Sequence, residues 1–274
     1  MVDKKLTGAG LRGQVAGETA LCTVGKSGSG LTYYGYDIKE LAEKVSFEEV
    51  AYLLAHGELP NQTELTEYKA RLKQLRGLPQ ALKDVLERIP ADAHPMDVMR
   101  TGCSFLGNLE PEEDFSQANA KIERMLAVFP SILLYWYRFS HDGVRIETET
   151  DDDSIGAHFL HMLHDKKPSQ LHIDVMNTSL ILYAEHEFNA STFTARVCAS
   201  TLSDIFSCVT GAIGSLRGPL HGGANEAAMD LIETMKDADD AEQTLLGMLE
   251  RKEKIMGFGH AIYREFDPRN DIIK

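Results

Sequence analysis

The amino-acid sequence predicts an almost entirely α-helical fold. After Asp37, apolar residues recur at the spacing i, i+3, i+4, i+7, which gives a helix one apolar face, and proline or glycine separates the successive stretches. The chain has 274 residues, of which 43% are hydrophobic and 26% are charged, so it can build a sizeable core. These observations exclude a disordered, collagen-like or coiled-coil protein.

A short region of β-structure precedes the predicted helices. Residues 19–24 and 31–37 contain β-branched and aromatic side chains, and the glycine-bearing stretch 25–30 separates them. This pattern predicts a small β-hairpin near the N-terminus. The helical spacing begins directly after the hairpin, and Ser46 is placed to cap the second helix.

The remaining predicted helices follow in order along the chain. They span residues 64–76, 79–88, 95–106, 118–140, 154–164, 174–185, 192–216, 224–235 and 240–253. Within the seventh of these helices, residues 205–216 are apolar on nearly every face, with alanine, glycine and serine interleaved. A helix without a polar face has to be buried all round, so we expect it at a contact between subunits or between helices.

The composition excludes several kinds of partner and location. The formal net charge of −14 argues against nucleic acid or an anionic membrane as the main partner. The longest uncharged apolar stretch, residues 125–137, is shorter than the about 20 residues of a membrane span. The first residues lack the apolar run of a signal peptide, and the four cysteines form no Cys-x-x-Cys pair. We therefore expect a soluble, acidic, cytoplasmic protein.

One histidine pattern superficially suggests a metal site. His158, His161 and His164 stand three residues apart, but the outer two point about 120° apart around a helix. No carboxylate or cysteine stands at a supporting ligand spacing, and an H-E-x-x-H motif is absent. The pattern therefore favours surface histidines or buried, hydrogen-bonded histidines over metal ligands.

Three other histidines lie in polar or glycine-rich surroundings. His186 follows an apolar helix, His221 stands between glycines at the start of another helix, and His260 lies in a Gly-Phe-Gly-His segment. Glycines let backbone N–H groups approach a ligand, and a helix N-terminus adds positive potential. Histidine exchanges a proton near neutral pH, so these three are candidate catalytic or binding residues.

The segment around His260 is cationic within an acidic chain. Between residues 251 and 269 five bases face three acids, and the bases are Arg251, Lys252, Lys254, Arg264 and Arg269. This local excess of positive charge favours a bound anion, such as a substrate that carries phosphate or carboxylate groups.

These segments together resemble the citrate synthase family. His221 in Gly-Pro-Leu-His-Gly-Gly-Ala-Asn-Glu and His260 in Gly-Phe-Gly-His-Ala-Ile-Tyr-Arg are similar to its two histidine motifs. His186 in Tyr-Ala-Glu-His-Glu-Phe-Asn-Ala-Ser-Thr-Phe is similar to a third. The resemblance begins at about residue 20 and reaches the last residue. Four further segments are similar to the branch of the family that makes 2-methylcitrate: residues 19–28, 94–100, 131–137 and 150–156.

The resemblance implies a reaction and a set of roles. Propionyl-CoA would condense with oxaloacetate, and hydrolysis of the thioester would give 2-methylcitrate and CoA, a step of propionate catabolism. His221 would donate to the thioester carbonyl and His260 to the oxaloacetate carbonyl. His186 and Arg269 would bind oxaloacetate. The family's loop for CoA matches Lys254, Ile255, Met256, Gly257 and Phe258, and Arg264 is a weaker candidate for the CoA phosphates.

The resemblance also implies an organisation that the sequence covers in part. A large helical domain would span residues 1–221, and residues 222–274 would begin a smaller, mobile domain. The family's general base is an aspartate well downstream of the Asp-Pro-Arg segment, and no aspartate of this sequence matches its motif. We therefore expect that the sequence is truncated and lacks this base. The resemblance implies a homodimer and no metal or redox cofactor, because CoA enters as part of the substrate.

Three alternatives stay open at this point. A citrate synthase that uses acetyl-CoA would differ in whether the acyl pocket has room for one extra methylene group. That difference typically changes the preference between the two thioesters by about 1–3 kcal/mol, so activity on both is expected. A non-catalytic fragment that binds oxaloacetate or a partner would fit the missing base. A metal-dependent hydrolase would use the three histidines of residues 158–164.

Overall fold

A computed structural model describes residues 17–25, 30–259, 263 and 266–274. Its β-structure is an antiparallel sheet in the order β1 (Cys22–Val24), β2 (Leu31–Tyr33), β3 (Tyr36–Asp37). In the register of β1 and β2, Cys22 pairs with Tyr33 and Val24 with Leu31. The predicted hairpin is thus confirmed, and β3 adds a third strand. The two residues between β2 and β3 both have positive φ, which is the conformation of a tight hairpin turn.

The predicted helical fold is confirmed by thirteen α-helices in the described part of the chain. Most helix ends lie within four residues of the predicted ones. The helices are α1 (Ile38–Lys44), α2 (Phe47–His56), α3 (Gln62–Gln74), α4 (Gln80–Leu86), α5 (Pro95–Leu109), α6 (Ala118–Asp142), α7 (Ile155–His164), α8 (Gln170–Tyr183), α9 (Ala190–Ala199), α10 (Ile205–Leu216), α11 (Ala224–Glu233), α12 (Ala238–Glu250) and α13 (Asn270–Ile273). A single 3₁₀ turn at Phe115–Gln117 leads into α6.

Capping residues confirm one predicted boundary and correct another. Ser46 caps α2, and the Glu49 side chain accepts from the Ser46 N–H in return. The single helix predicted over residues 192–216 is wrong, because the chain breaks between α9 and α10. Leu202 there has a φ of +63°, and the Asp204 side chain accepts from Ser207 N at the start of α10. An apolar pattern that continues through the break hid this local capping signal.

The larger core surrounds α6. Trp136 and Ile132 of α6 are buried among apolar side chains of α4, α5 and α10, and the Trp136 indole donates to Ile89 O at 3.3 Å. In α10, Phe206, Cys208 and Ile213 are buried, while the other faces of this helix are half-buried or exposed. The expected contact between helices is therefore confirmed, because α10 packs on α5, α6 and α9. The contact between subunits stays a prediction, as does the domain boundary near residue 221.

A second core joins the sheet to the helices that lead to the candidate site. Leu31 and Tyr33 of β2 are fully buried against α1, α2 and the end of α8. The Tyr33 hydroxyl donates to Ile181 O at 2.9 Å, so the sheet is anchored where α8 approaches its end. Tyr263 and Ile272 pack on the same cluster, which brings the C-terminal residues to this side of the protein.

A glycine at the contact of α5 with α6 allows a stability prediction. A Cβ atom on Gly102 would lie 2.5 Å from Cγ2 of Ile132, which is closer than the packed side chain can tolerate. Gly102→Ala is therefore expected to lower the free energy of unfolding by about 1–3 kcal/mol. Gly247→Ala in α12 is the control, because the nearest atom there is the flexible Arg251 guanidinium. Urea unfolding followed by circular dichroism measures both, and equal stability of the two variants would contradict the packing argument.

Among the described residues, each helix is either too short or too polar to cross a bilayer.

Candidate functional site

The site is built around residues 184–189, which join α8 to α9, and around the first turn of α9. The Glu185 N–H donates to the Tyr33 hydroxyl at 3.3 Å, and the Val24 N–H donates to Glu187 Oε1 at 3.2 Å. Glu187 has a φ of +55°, which is a sharp bend that these contacts hold in place. The sheet therefore fixes the connection that carries His186 and leads to α9.

The first turn of α9 forms a ring of hydrogen bonds. Asn189 caps the helix by accepting from Thr192 N at 2.9 Å, and its side chain also lies 2.8 Å from the Ser191 hydroxyl. The Ser191 N–H, in the second position of the helix, donates to Nε2 of His221 at 3.2 Å. An imidazole nitrogen thus fills the place at which this helix end would bind an anion or water.

This contact sets the protonation of His221. A backbone N–H can only donate, so Nε2 of His221 carries a lone pair and the proton of the neutral ring lies on Nδ1. The Ser191 Oγ atom lies 2.9 Å from the same nitrogen. Burial lowers the pKa of His221 below its ordinary value, because the imidazolium form would lose its water. The contact and the burial both favour a neutral His221, in which Nδ1–H is the donor.

His186 lies on the other side of the connection, next to the C-terminal residues. Its Nε2 atom is 3.2 Å from the Tyr263 hydroxyl, and the two rings meet edge to face with centroids 5.4 Å apart. The Arg269 guanidinium lies 5.9 Å from the centroid of the Tyr263 ring. His186 and Arg269, both predicted to bind oxaloacetate, are thus brought together around Tyr263.

The Arg269 guanidinium is held in one orientation by a neighbouring carboxylate. Nε and Nη2 donate to the two oxygens of Asp267 at 2.9 and 2.7 Å, which is a two-pronged ion pair. Burial opposes the charged form, but the hydrogen bonds and charge of Asp267 outweigh it, so the pKa of Arg269 is raised. The remaining N–H groups of Arg269 donate to no atom within the described residues, so the guanidinium keeps donors for an anionic ligand.

The other predicted site residues are placed elsewhere or lie outside the description. His260 and Arg264 are not among the described residues. Lys254 to Phe258 form a loop after α12, and a Cβ atom on Gly257 would meet Ala228 of α11 at 3.3 Å. Phe258 is 74% exposed. The connection from α8 to α9 and the first turn of α9 thus contact His221 through Ser191 and the C-terminal residues through His186. No hydrogen bond joins the loop of residues 254–258 to residues 184–191 in the part of the chain that is described.

Two of the three histidines of α7, His158 and His161, form hydrogen bonds that a structural role explains, and His164 is exposed. His158 is fully buried, with Nδ1 at 2.9 Å from Thr150 Oγ1 and Nε2 at 3.2 Å from Ser131 Oγ. His161 lies 2.7 Å from Asp152 Oδ2. No group of three potential metal ligands occurs among the described residues. The interpretation of His158 as a buried, hydrogen-bonded histidine is confirmed.

Burial of His158 predicts a loss of stability in acid. Burial and the nearby Arg76 lower the pKa of His158 to about 3, while an unfolded histidine titrates near 6.5. As the pH falls, the unfolded chain binds the proton first, so this stability is complete above about pH 6.5 and is lost towards pH 3. His158→Gln should therefore remove about 2 kcal/mol of the stability change between pH 7.5 and pH 5.

Urea unfolding at the two pH values tests this expectation against a control. His164→Gln alters an exposed histidine of the same helix and should leave the parent's pH dependence unchanged. The same pH dependence in His158→Gln as in the parent protein would contradict a neutral, buried His158.

Several functional contacts were not predicted from the sequence. Asn189 and Ser191 follow a recognisable helix-capping pattern, but the contact of Ser191 with His221 spans 30 residues. Tyr263 stands within a quoted motif, yet nothing in the sequence marks it as the link between His186 and Arg269. The sheet residues Tyr33 and Val24 are linked to this site only by the folded chain.

Comparisons with known proteins agree with this architecture. The family model described as "Citrate synthase, C-terminal domain" matches residues 10–274. A 2-methylcitrate synthase of Shewanella oneidensis is 77% identical over 271 residues, which cover 99% of this chain and 72% of the relative. A 2-methylcitrate synthase of Mycobacterium tuberculosis is 46% identical over 97% of this chain and 67% of its own length.

Solved structures show the same fold. Citrate synthase from Thermoplasma acidophilum, in a ternary complex with carboxymethyl coenzyme A and oxaloacetate, has a TM-score of 0.88 and 31% identity, covering 93% of this chain and 68% of that one. Citrate synthase from Thermotoga maritima has a TM-score of 0.83 and 37% identity, covering 96% and 70%. The helices, the site connection and these similarities agree, and the chain belongs to the citrate synthase family.

Proposed function

We propose that the protein condenses propionyl-CoA with oxaloacetate and hydrolyses the thioester to give 2-methylcitrate and CoA. The observation that carries this proposal is the 77% identity, over 99% of the chain, with a relative named 2-methylcitrate synthase. The protein is accordingly a CoA-dependent acyltransferase, and CoA takes part as a portion of the substrate rather than as a cofactor.

His221 is the proposed donor to the thioester. The proton next to a thioester carbonyl is weakly acidic, so its removal needs a donor that stabilises the enolate oxygen. A neutral imidazole with its proton on Nδ1 has that donor, and Ser191 holds the other nitrogen. Because Ser191 N–H points at Nε2, a second proton there would face an N–H group, which disfavours the imidazolium form.

Oxaloacetate is the proposed ligand of the opposite side of the site. It is a dianion, and the cationic Arg269 guanidinium lies beside the Tyr263 ring that His186 contacts. Asp267 orients the guanidinium, and the remaining N–H groups are proposed to bind a carboxylate. His186 would add a hydrogen bond, and His260 keeps its proposed role as donor to the carbonyl.

The proposed binding site for CoA is the loop of Lys254, Ile255, Met256, Gly257 and Phe258, in which the first residue and the last two are exposed. We propose a cytoplasmic homodimer, because the four cysteines are free and α9 and its C-terminal end carry exposed Val197 and Leu202. These two apolar side chains lie next to the apolar helix α10. A second copy of the chain is proposed to cover them together with α10.

Thiol release from the acyl-CoA tests the proposed function. Propionyl-CoA and acetyl-CoA are supplied with and without oxaloacetate to the 274-residue chain and to a version extended downstream of Lys274. Release that depends on oxaloacetate and is faster with propionyl-CoA supports the proposal, and preference for acetyl-CoA would instead favour a citrate synthase. Activity of the extended version alone would place the base after Lys274, whereas activity of the short chain would place it within these residues. If neither protein releases thiol, the proposed function is contradicted and a binding protein is favoured.

A further inference from the structure

The turn that carries His221 is tied at both ends to the start of α5. Before the histidine, Arg217 Nε donates to Asp97 Oδ2 at 3.3 Å. After it, Glu226 Oε2 lies 2.9 Å from Nε2 of His94. His94 is the N-cap of α5 and Asp97 lies in its first turn, so one helix end holds both sides of residues 218–225.

Each of the two α5 residues has a second contact that fixes its side chain. His94 Nδ1 accepts from Met96 N at 3.1 Å, so Nε2 carries the proton of the neutral ring and donates to Glu226. Asp97 uses its other oxygen to pair with Arg100 at 3.1 Å. The helix behind them is anchored in the larger core by buried Val98. The two contacts from α5 therefore connect the His221 turn to a rigid part of the protein.

Within the turn, His221 N donates to Gly218 O at 2.9 Å, and the Asn225 side chain donates to the Tyr183 hydroxyl at 3.0 Å. Glycines occupy positions 218, 222 and 223, and a Cβ atom on Gly222 would lie 2.5 Å from Cδ1 of Leu216, so the close approach requires glycine. Ser191 holds the ring of His221, but the surrounding backbone is glycine-rich and its proline and leucine are exposed. The contacts at its two ends add to these hydrogen bonds and tie the turn to α5.

We propose that His94 and Asp97 are positioning residues that hold the His221 turn through Glu226 and Arg217. The inference rests on the proposed function, in which His221 acts on the thioester. It assigns to the first turn of α5 a role in catalysis although no residue of that turn touches the reacting atoms.

Solvent exposure of the Arg217–Asp97 and His94–Glu226 pairs makes it possible to distinguish a positioning role from a stabilising one. The side chains of Arg217 and Glu226 are 42% and 57% exposed, and ion pairs at such sites add little stability. A displacement of a catalytic group by about 1 Å can nevertheless lower a rate by about 100-fold. Loss of either of these two contacts should therefore lower kcat much more than it lowers the melting temperature.

Two substitutions of His94 distinguish its capping contact with Met96 N from its contact with Glu226. His94→Asn keeps a helix-capping side chain but is too short to reach Glu226, while His94→Gln restores the reach and weakens the cap. We expect kcat to fall roughly 10- to 100-fold in His94→Asn and less in His94→Gln, with KM for oxaloacetate within about twofold of the parent. The melting temperature of His94→Asn should stay within about 4 °C of the parent.

Glu226→Ala tests the same contact from the other helix. It should lower kcat to a similar extent, and its effect should not add to that of His94→Asn in the double variant. Glu233→Ala is the matched control, because it removes an exposed carboxylate from the same helix α11 and should leave kcat unchanged. Additive effects of the His94 and Glu226 changes, or an unchanged kcat in both, would overturn the proposal.

A second readout keeps the proposal testable without turnover. With ¹⁵N-labelled histidine, the ring-nitrogen signals of His221 should shift or broaden in His94→Asn and Glu226→Ala, and stay unchanged in Glu233→Ala. Unchanged His221 signals in His94→Asn and Glu226→Ala would overturn the proposal that these contacts position His221. If the version extended downstream of Lys274 releases no thiol, the proposed function is contradicted, and the His221 signals then test the contacts of His94 and Asp97 with the turn by themselves.

Discussion

His221→Ala is expected to lower turnover of propionyl-CoA by roughly 100- to 1000-fold, because it removes the donor that stabilises the enolate oxygen. The side chain contacts Ser191 but makes no hydrogen bond to His186 or Arg269, which are the proposed ligands of oxaloacetate. The affinity for oxaloacetate should therefore stay within about twofold of the parent. Thiol release at saturating substrate, measured on the version extended downstream of Lys274, gives kcat, and calorimetric titration with oxaloacetate in the absence of acyl-CoA gives the dissociation constant.

Ser191→Ala is the matched comparison for this variant. It removes the hydroxyl near Nε2 but keeps the backbone N–H that holds the tautomer, so a loss of about tenfold or less in kcat is expected. A loss of oxaloacetate affinity as large as the loss of turnover in His221→Ala would contradict the assigned role. It would place His221 among the ligands of oxaloacetate instead.

The helical architecture could be predicted because most helices here have one apolar face and a local stop signal. Proline and glycine mark most of the predicted breaks, and Ser46 caps α2 as the sequence predicts. The division between α9 and α10 escaped prediction, since the residues around Leu202 keep the apolar spacing while the backbone turns. Its signal, Asp204 at the helix start, is a local hydrogen bond that competes with the periodic pattern.

The candidate site was predictable in its residues but only partly in its geometry. Glycines around His221 and the cationic segment near Arg269 pointed to candidate residues. Their partners come from distant parts of the chain: Ser191 is 30 residues before His221, and Glu226 is 132 residues after His94. Such pairs depend on how helices pack, which a single sequence does not encode in any local pattern. The α7 histidines show the converse, because a ligand-like spacing there belongs to a buried hydrogen-bond network.

Arg269→Lys is expected to weaken oxaloacetate binding by roughly 10- to 100-fold, with a smaller change in kcat at saturating oxaloacetate. In the parent, one edge of the guanidinium holds both oxygens of Asp267, and other N–H groups remain for the ligand. A lysine is a point charge, so it cannot pair with Asp267 in this way and present a fixed second edge to a carboxylate. The estimated loss corresponds to about 1.5–3 kcal/mol for hydrogen bonds to a charged group.

Arg251→Lys provides a control with the same local geometry. Arg251 also forms a two-pronged pair with a carboxylate two residues away, with Nε and Nη2 at 2.7 and 3.0 Å from Glu253, but this pair lies at the exposed end of α12. Its replacement should leave oxaloacetate binding unchanged, so any loss specific to Arg269→Lys reflects the site and not the ion pair. Calorimetric titration of both variants decides the matter, and equal affinities for oxaloacetate in parent, Arg251→Lys and Arg269→Lys would remove Arg269 from the binding site.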